Sequence, residues 1–85
     1  MVHQLALRDF RFVKTKDEKY LRAFGKHVRK LRTDLKLSQE QLNDEAGLGK
    51  NQLGLIERGQ VNASLITIKS LAAALKLDIK SLLDF

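Results

Sequence analysis

The chain has no cysteine and no proline, and its five glycines stand at positions 25, 47, 49, 54 and 59. Without thiols, neither a disulfide framework nor a thiolate metal site can hold it together. No apolar run approaches the roughly 18 to 20 residues that cross a bilayer. Residues 1–12 lack the continuous apolar stretch and small-residue cleavage site of a secretory signal. A soluble, cytoplasmic and nucleoid-associated protein is expected, with no membrane partner. The two histidines, His3 and His27, are isolated, so no metal site is expected. There is no carboxylate pair, no nucleophile beside a base and no Gly-rich phosphate loop after a strand, which predicts no catalytic residue, no cofactor and no enzyme. A chain of 85 residues has apolar surface for a single core, supported if at all by a partner subunit.

What is abundant is positive charge. Sixteen Lys and Arg against ten Asp and Glu leave a formal net charge of +6, a balance that favours a polyanionic partner. The excess is uneven. Residues 1–36 hold eleven basic and four acidic residues, whereas residues 37–85 hold five and six. Two readings stand: a flank that lies along phosphates, or a solvated helix face.

Periodicity predicts an all-α body over residues 15–85. Thr15-Lys16-Asp17-Glu18 has the form of a capping box that opens a first helix. Leu21, Phe24, Val28, Leu31 and Leu35 then recur at spacings of three and four as a core stripe, with Lys19, Arg22, Lys26, Arg29, Lys30 and Arg32 on the opposite side. Ser38, with Gln41 three positions on, caps a second helix that runs to about Ala46 and buries Leu42 and Ala46. A third spans about Lys50 to Arg58, with Leu53 and Ile56 inward. Ser64 caps a fourth with the stripe Leu65, Ile68, Leu71, Ala72 and Leu75, and Asp78 caps a short fifth carrying Ile79, Leu82 and Leu83. Gly47 and Gly59 follow apolar-periodic segments, where a left-handed residue commonly ends a helix. Residues 1–14 form an N-terminal arm, whose Leu5, Leu7, Phe10 and Phe12 suit a short extended segment or a disordered tail.

Ala46-Gly47-Leu48 supplies in order a small residue, a glycine able to take a positive φ and a buried aliphatic. These are the needs of a tight turn between two helices crossing closely. Here the sequence resembles the lambda-repressor-like, or Cro-type, helix-turn-helix family, also called the xenobiotic-response-element family. The resemblance rests on Leu37-Ser38-Gln39-Glu40-Gln41-Leu42, Ala46-Gly47-Leu48, Ile56-Glu57-Arg58-Gly59, Ser64-Leu65 and Leu71-Ala72-Ala73-Ala74-Leu75, across about residues 24–83. It implies a compact five-helix bundle with the helix-turn-helix at 38–58. It also implies a sequence-specific DNA-binding transcriptional regulator, a repressor or controller, that binds double-stranded DNA as a homodimer. One such domain reads only about four or five base pairs in a groove, so two copies about a two-fold axis on a palindromic operator are expected.

By the same resemblance, Gln39 matches a phosphate-contacting position at the start of the second helix, where backbone N–H groups favour an anion; otherwise it simply occupies the first turn of a capped helix. Lys50, Asn51 and Gln52 match the groove-entering start of the third helix. Asn and Gln can pair bidentately with adenine, and Lys can reach guanine or phosphate. A lysine in a first turn opposes the helix macrodipole, which phosphate nearby would offset; the plainer reading is a solvated lysine. Arg58 matches a phosphate neighbour but also suits a helix C-terminus, and Glu57 is expected to pair with a nearby base rather than act as an acid. Asn62 and Ser64 match a loop that skirts the sugar-phosphate backbone.

The sequence departs from the family pattern at Gly49, where Ser or Thr usually caps, and at Gly54, Leu55 and Ala63. Gly54 would let the helix backbone approach the bases while Leu55 packs on a thymine methyl. Alternatively the pair marks a weaker reader with a leucine left for a protein contact. Ile66, Leu83 and Phe85 are candidate interface residues, although Phe85 also suits folding back on its own core. An antitoxin-like protein-interaction module that also binds its own promoter, with a toxin or other protein as partner, is the alternative function.

Overall fold

The computed structural model describes residues 17–85. The expected arm, and the expected start of the first helix at Thr15, lie outside these residues. Five helices follow in order: α1 (Glu18–Asp34), α2 (Gln39–Glu45), α3 (Gln52–Glu57), α4 (Leu65–Ala74) and α5 (Ile79–Leu82), and the described residues contain no strand. The all-α architecture expected from periodicity is observed.

Each helix begins and ends for a local reason. Asp17 caps α1, its carboxylate accepting the Tyr20 N–H at 3.1 Å. Ser38 and Gln41 form the expected reciprocal capping box at α2, with bonds of 2.8 and 3.0 Å. Ser64 accepts the Thr67 N–H and Asp78 accepts the Ser81 N–H. The Ser81 backbone N–H, followed by its side chain, holds the Asp78 carboxyl below its ordinary pKa. That cap is therefore in place at neutral pH and weakens in acid as the carboxylate protonates.

At the other ends, four helices close through the same turn. After α2 and α3, Gly47 and Gly59 take φ of +68° and +71°; after α1 and α4, Lys36 and Lys76 take +58° and +60°. In each turn the next N–H reaches back five residues, Leu37 to Arg32, Leu48 to Asn43, Gln60 to Leu55 and Leu77 to Ala72. These are Schellman closures. Glycine marks two of them; the repeated Leu-Lys-Leu marks the others, with Leu37 and Leu77 packed against the core.

Phe24, Val28, Leu42, Leu53, Ile56, Leu71, Ala72, Leu75 and Leu82 form the core. Of the other expected core residues, Leu31, Ala46 and Ile68 are half-buried and packed against it, Leu21 is half-buried, and two are exposed. Leu35 is 50% exposed, because α1 has already ended and the turn hands its inward position to Leu37. Leu65 is 70% exposed: it is the first residue of α4, whose buried residues, Leu71 and Ala72, lie in its second half. Arg32, expected on the solvent face of α1, is buried. It follows Val28 by four residues and Gly25 by seven, and so shares their face.

Helix α1 packs closely against α3 at Gly25. A Cβ built on Gly25 would lie 2.4 Å from both Glu57 O and Ile56 O, so only a residue without a side chain lets the two backbones meet there. Gly25→Ala must push α1 off α3. Despite alanine's better helix propensity, it is expected to destabilise the fold by about 1 to 3 kcal/mol, the usual cost of overpacking. Urea unfolding followed by circular dichroism measures this; an unchanged midpoint would show that the crossing can widen freely.

Candidate nucleic-acid interface

Helices α2 and α3, with the turns around them, present all but Asn62 of the residues expected to contact DNA. Asn43, which the sequence reading did not single out, organises that turn. Its Nδ2 donates to Leu48 O at 3.2 Å and Gly49 O at 3.0 Å, and its Oδ1 accepts the Leu53 N–H at 2.9 Å. The last bond satisfies one of the N–H groups that a helix start leaves without a partner. Asparagine alone offers both donor and acceptor at this length, but nothing in the sequence pattern distinguishes it from a surface residue.

The start of α3 differs from expectation. The Gln52 N–H closes a tight turn on Gly49 O at 3.1 Å, so helical residues begin at Gln52, and Lys50 and Asn51 form the turn before it. The cap position belongs to Asn51, not Gly49. Asn51 has φ of +62° and makes no side-chain capping bond. A left-handed L-residue costs about 1 to 2 kcal/mol, least for Asn and Asp. Lys50 and Asn51 are exposed and Gln52 is half-buried. Together with Ser38, Gln39, Asn43, Leu53 and Gly54, Lys50 and Asn51 border an open groove between the starts of α2 and α3, where Glu40 and Asp44 also stand.

One residue bordering this groove, Gln39, reaches a buried ion pair. Arg32 Nε donates to Glu57 Oε2 at 2.6 Å and Arg32 Nη2 to Oε1 at 3.1 Å, while Nη1 donates to Leu37 O at 2.8 Å. Gln39 Nε2 donates to the same Glu57 Oε1 at 2.9 Å. Glu57 therefore pairs with a base, as expected, and that base is Arg32. Planar, bidentate geometry with further hydrogen bonds is the arrangement in which a buried pair is tolerable; removing one partner strands the other at about 3 to 5 kcal/mol.

Gly54 is buried. From the position of a Cβ there, Arg58 Nη1 would lie at 3.2 Å and Gln39 Oε1 at 3.4 Å. The backbone that was expected to approach the bases is thus overlain by the ends of two candidate phosphate contacts. Leu55, expected outward, is half-buried. Arg58 is exposed, with Nε donating to Gln60 Oε1 at 3.2 Å. Asn62 is exposed and borders a mainly apolar groove with Tyr20, Leu21, Phe24, Ile68 and Leu83. It stands apart from the α2–α3 groove.

The basic face of α1 reaches this region at one point. A Cβ on Gly59 would fall 2.7 Å from Arg22 Cγ, so the Arg22 stem lies against the end of α3. Two of its charges are matched locally and weakly by exposed pairs, Arg22 with Glu18 and Lys30 with Asp34. Such pairs are each worth a few tenths of a kcal/mol.

These features are those of a lambda-repressor-like helix-turn-helix domain, and the chain belongs to that family of DNA-binding transcriptional regulators: the helix-turn-helix family profile matches residues 28–82. Among individual proteins, the chain is 41% identical over 63 residues to "Control protein C.BamHI" of Bacillus amyloliquefaciens, covering 73% of this chain and 78% of that one. It is 34% identical over 58 residues to the immunity repressor protein of Bacillus phage phi105, a match of 68% of this chain that spans only 40% of the repressor. The crystal structure of the restriction-modification controller protein C.AhdI from Aeromonas hydrophila superposes with a TM-score of 0.70 at 42% identity, over 75% of this chain and 96% of that chain.

The positive φ of Asn51 separates its backbone role from its side-chain role. Asn51→Ala, which keeps the left-handed strain with a less tolerant residue, is expected to lose about 1 kcal/mol of stability, whereas Asn51→Gly loses none. Equal losses in chemical denaturation would show that the backbone conformation is not what selects the residue.

Proposed function

We propose that the protein regulates transcription by binding a palindromic operator as a homodimer, with α3 and the turn before it entering the major groove. The observation that carries this reading is the exposed pair Lys50 and Asn51 at the lip of α3, flanked by Gln39 and Arg58, with Gln39 tied to the buried Arg32–Glu57 pair. Asn51 and Gln52 supply amides for base edges, and Lys50 a cation for guanine or phosphate. Gln39, Arg58, the Asn62 loop and the basic face of α1 follow the backbone. The names of the matched relatives, a phage repressor and restriction-modification controllers, support the repressor or controller role.

A dimer is favoured by the side of α4 that its own subunit leaves uncovered. Leu65 and Ile66 are adjacent and 70% and 69% exposed. Phe85, the other candidate, is half-committed to its own fold, with its ring centroid 5.0 Å from Tyr20, 5.5 Å from Phe24 and 5.7 Å from His27. The same apolar pair would serve the antitoxin-like alternative, and salt dependence separates the two.

Selection from a random duplex pool is expected to recover a palindromic site, with log affinity falling against log salt by about 0.9 per phosphate contacted. A flat slope favours the protein-interaction reading. Asn51→Gly, which keeps the backbone relaxed, should erase preference at one base pair per half-site at a cost of about 1 to 3 kcal/mol. A uniform loss over all sequences would make Asn51 a phosphate contact. Ile66→Lys should shift sedimentation equilibrium towards monomer without changing helicity; an unaltered dimer places the interface elsewhere.

A further inference from the structure

The long side chain of Gln39 begins on an exposed residue at the start of α2, yet its end is held by a buried carboxylate. Glu57 Oε1 takes both the 2.9 Å bond from Gln39 Nε2 and the 3.1 Å bond from Arg32 Nη2. Glu57 is itself pinned by Arg32 Nε at 2.6 Å and, being buried, is not free to follow a mobile partner. The amide is also confined above α3, where Gly54 offers no side chain to contest its path. A primary amide carries two N–H donors and one acceptor. Glu57 engages one donor, which sets the plane of the group and leaves the rest of it for the groove shared with Lys50 and Asn51.

We propose that Glu57 is a positioning residue for phosphate recognition: held by Arg32, it orients the Gln39 amide before DNA arrives. The ordering of a flexible side chain is then completed in folding instead of at binding. This rests on the DNA-binding reading above. Immobilising such a side chain at an interface is worth about a 2- to 10-fold change in affinity.

Removing Glu57 alone would strand Arg32 in the interior, so the test replaces the pair together, Arg32→Met with Glu57→Leu. This exchange of a buried ion pair for apolar groups is commonly tolerated, and thermal unfolding verifies that the fold is kept. The conservative Glu57→Gln keeps an acceptor for Gln39 and serves as the second variant. In the free protein, NMR should find the Gln39 side-chain amide protected from solvent exchange in the parent and in Glu57→Gln, but unprotected in the paired variant. On the duplex selected above, the paired variant should bind about 2- to 10-fold more weakly, and this loss should vanish when both proteins also carry Gln39→Ala. An amide equally exposed in parent and paired variant overturns the proposal, as does a loss that persists in the Gln39→Ala background. If instead the parent selects no duplex at all, the functional reading fails, a result distinct from parental binding that is indifferent to Glu57.

Discussion

Arg32 and Glu57 meet in the interior from helices far apart in the chain, and most of the candidate interface hangs on where they meet. The bidentate pair ties α1 to the end of α3, Arg32 also holds the carbonyl of Leu37 just before α2, and Glu57 holds the amide of Gln39 at its start. One ion pair thus fixes three elements. It forms because Gly25 lets the backbones of α1 and α3 approach to a distance that any side chain would block. Burial keeps the pair dry, and the many hydrogen bonds around it are what make burial of two charges tolerable.

The exposed polar surface at the start of α3 is a consequence of that anchoring. α3 has only six residues, too few to hold a conformation by itself. Its position comes from Leu53 and Ile56 in the core, the bond from Asn43 to the Leu53 N–H, and the grip on Glu57. Lys50 and Asn51 can then stand exposed in a strained turn without dissolving it. Polar presentation outside depends on over-determined packing inside.

Much of this was legible in the sequence, and for identifiable reasons. Helix count, the capping serines and the core positions Phe24, Val28, Leu42, Leu53, Ile56, Leu71, Ala72, Leu75 and Leu82 follow from period and local hydrogen-bonding chemistry, which involve residues near one another in the chain. Gly47 and Gly59 were readable because only glycine takes a positive φ without cost. Lys36 and Lys76 occupy the same conformation at their helix ends but carry no such mark. Arg32 was misplaced because a charge invites assignment to the solvent face, although its spacing from Gly25 and Val28 put it on the buried one. Leu65 was misplaced for the converse reason: an apolar residue in register with a stripe is buried only if the core extends far enough to reach it.

The sequence by itself determined the family, the five helices and the caps of α2, α4 and α5, since each is a matter of local spacing or residue chemistry. Only the tertiary structure decided which charge is interior, that Asn43 caps α3 from another helix, that Asn51 rather than Gly49 occupies the cap position, and that Gln39 and Arg58 lie over Gly54. The buried charge, the Asn43 bond and the Gln39 overlay are contacts between different helices. They are set by how closely α1, α2 and α3 approach, a quantity no local pattern records.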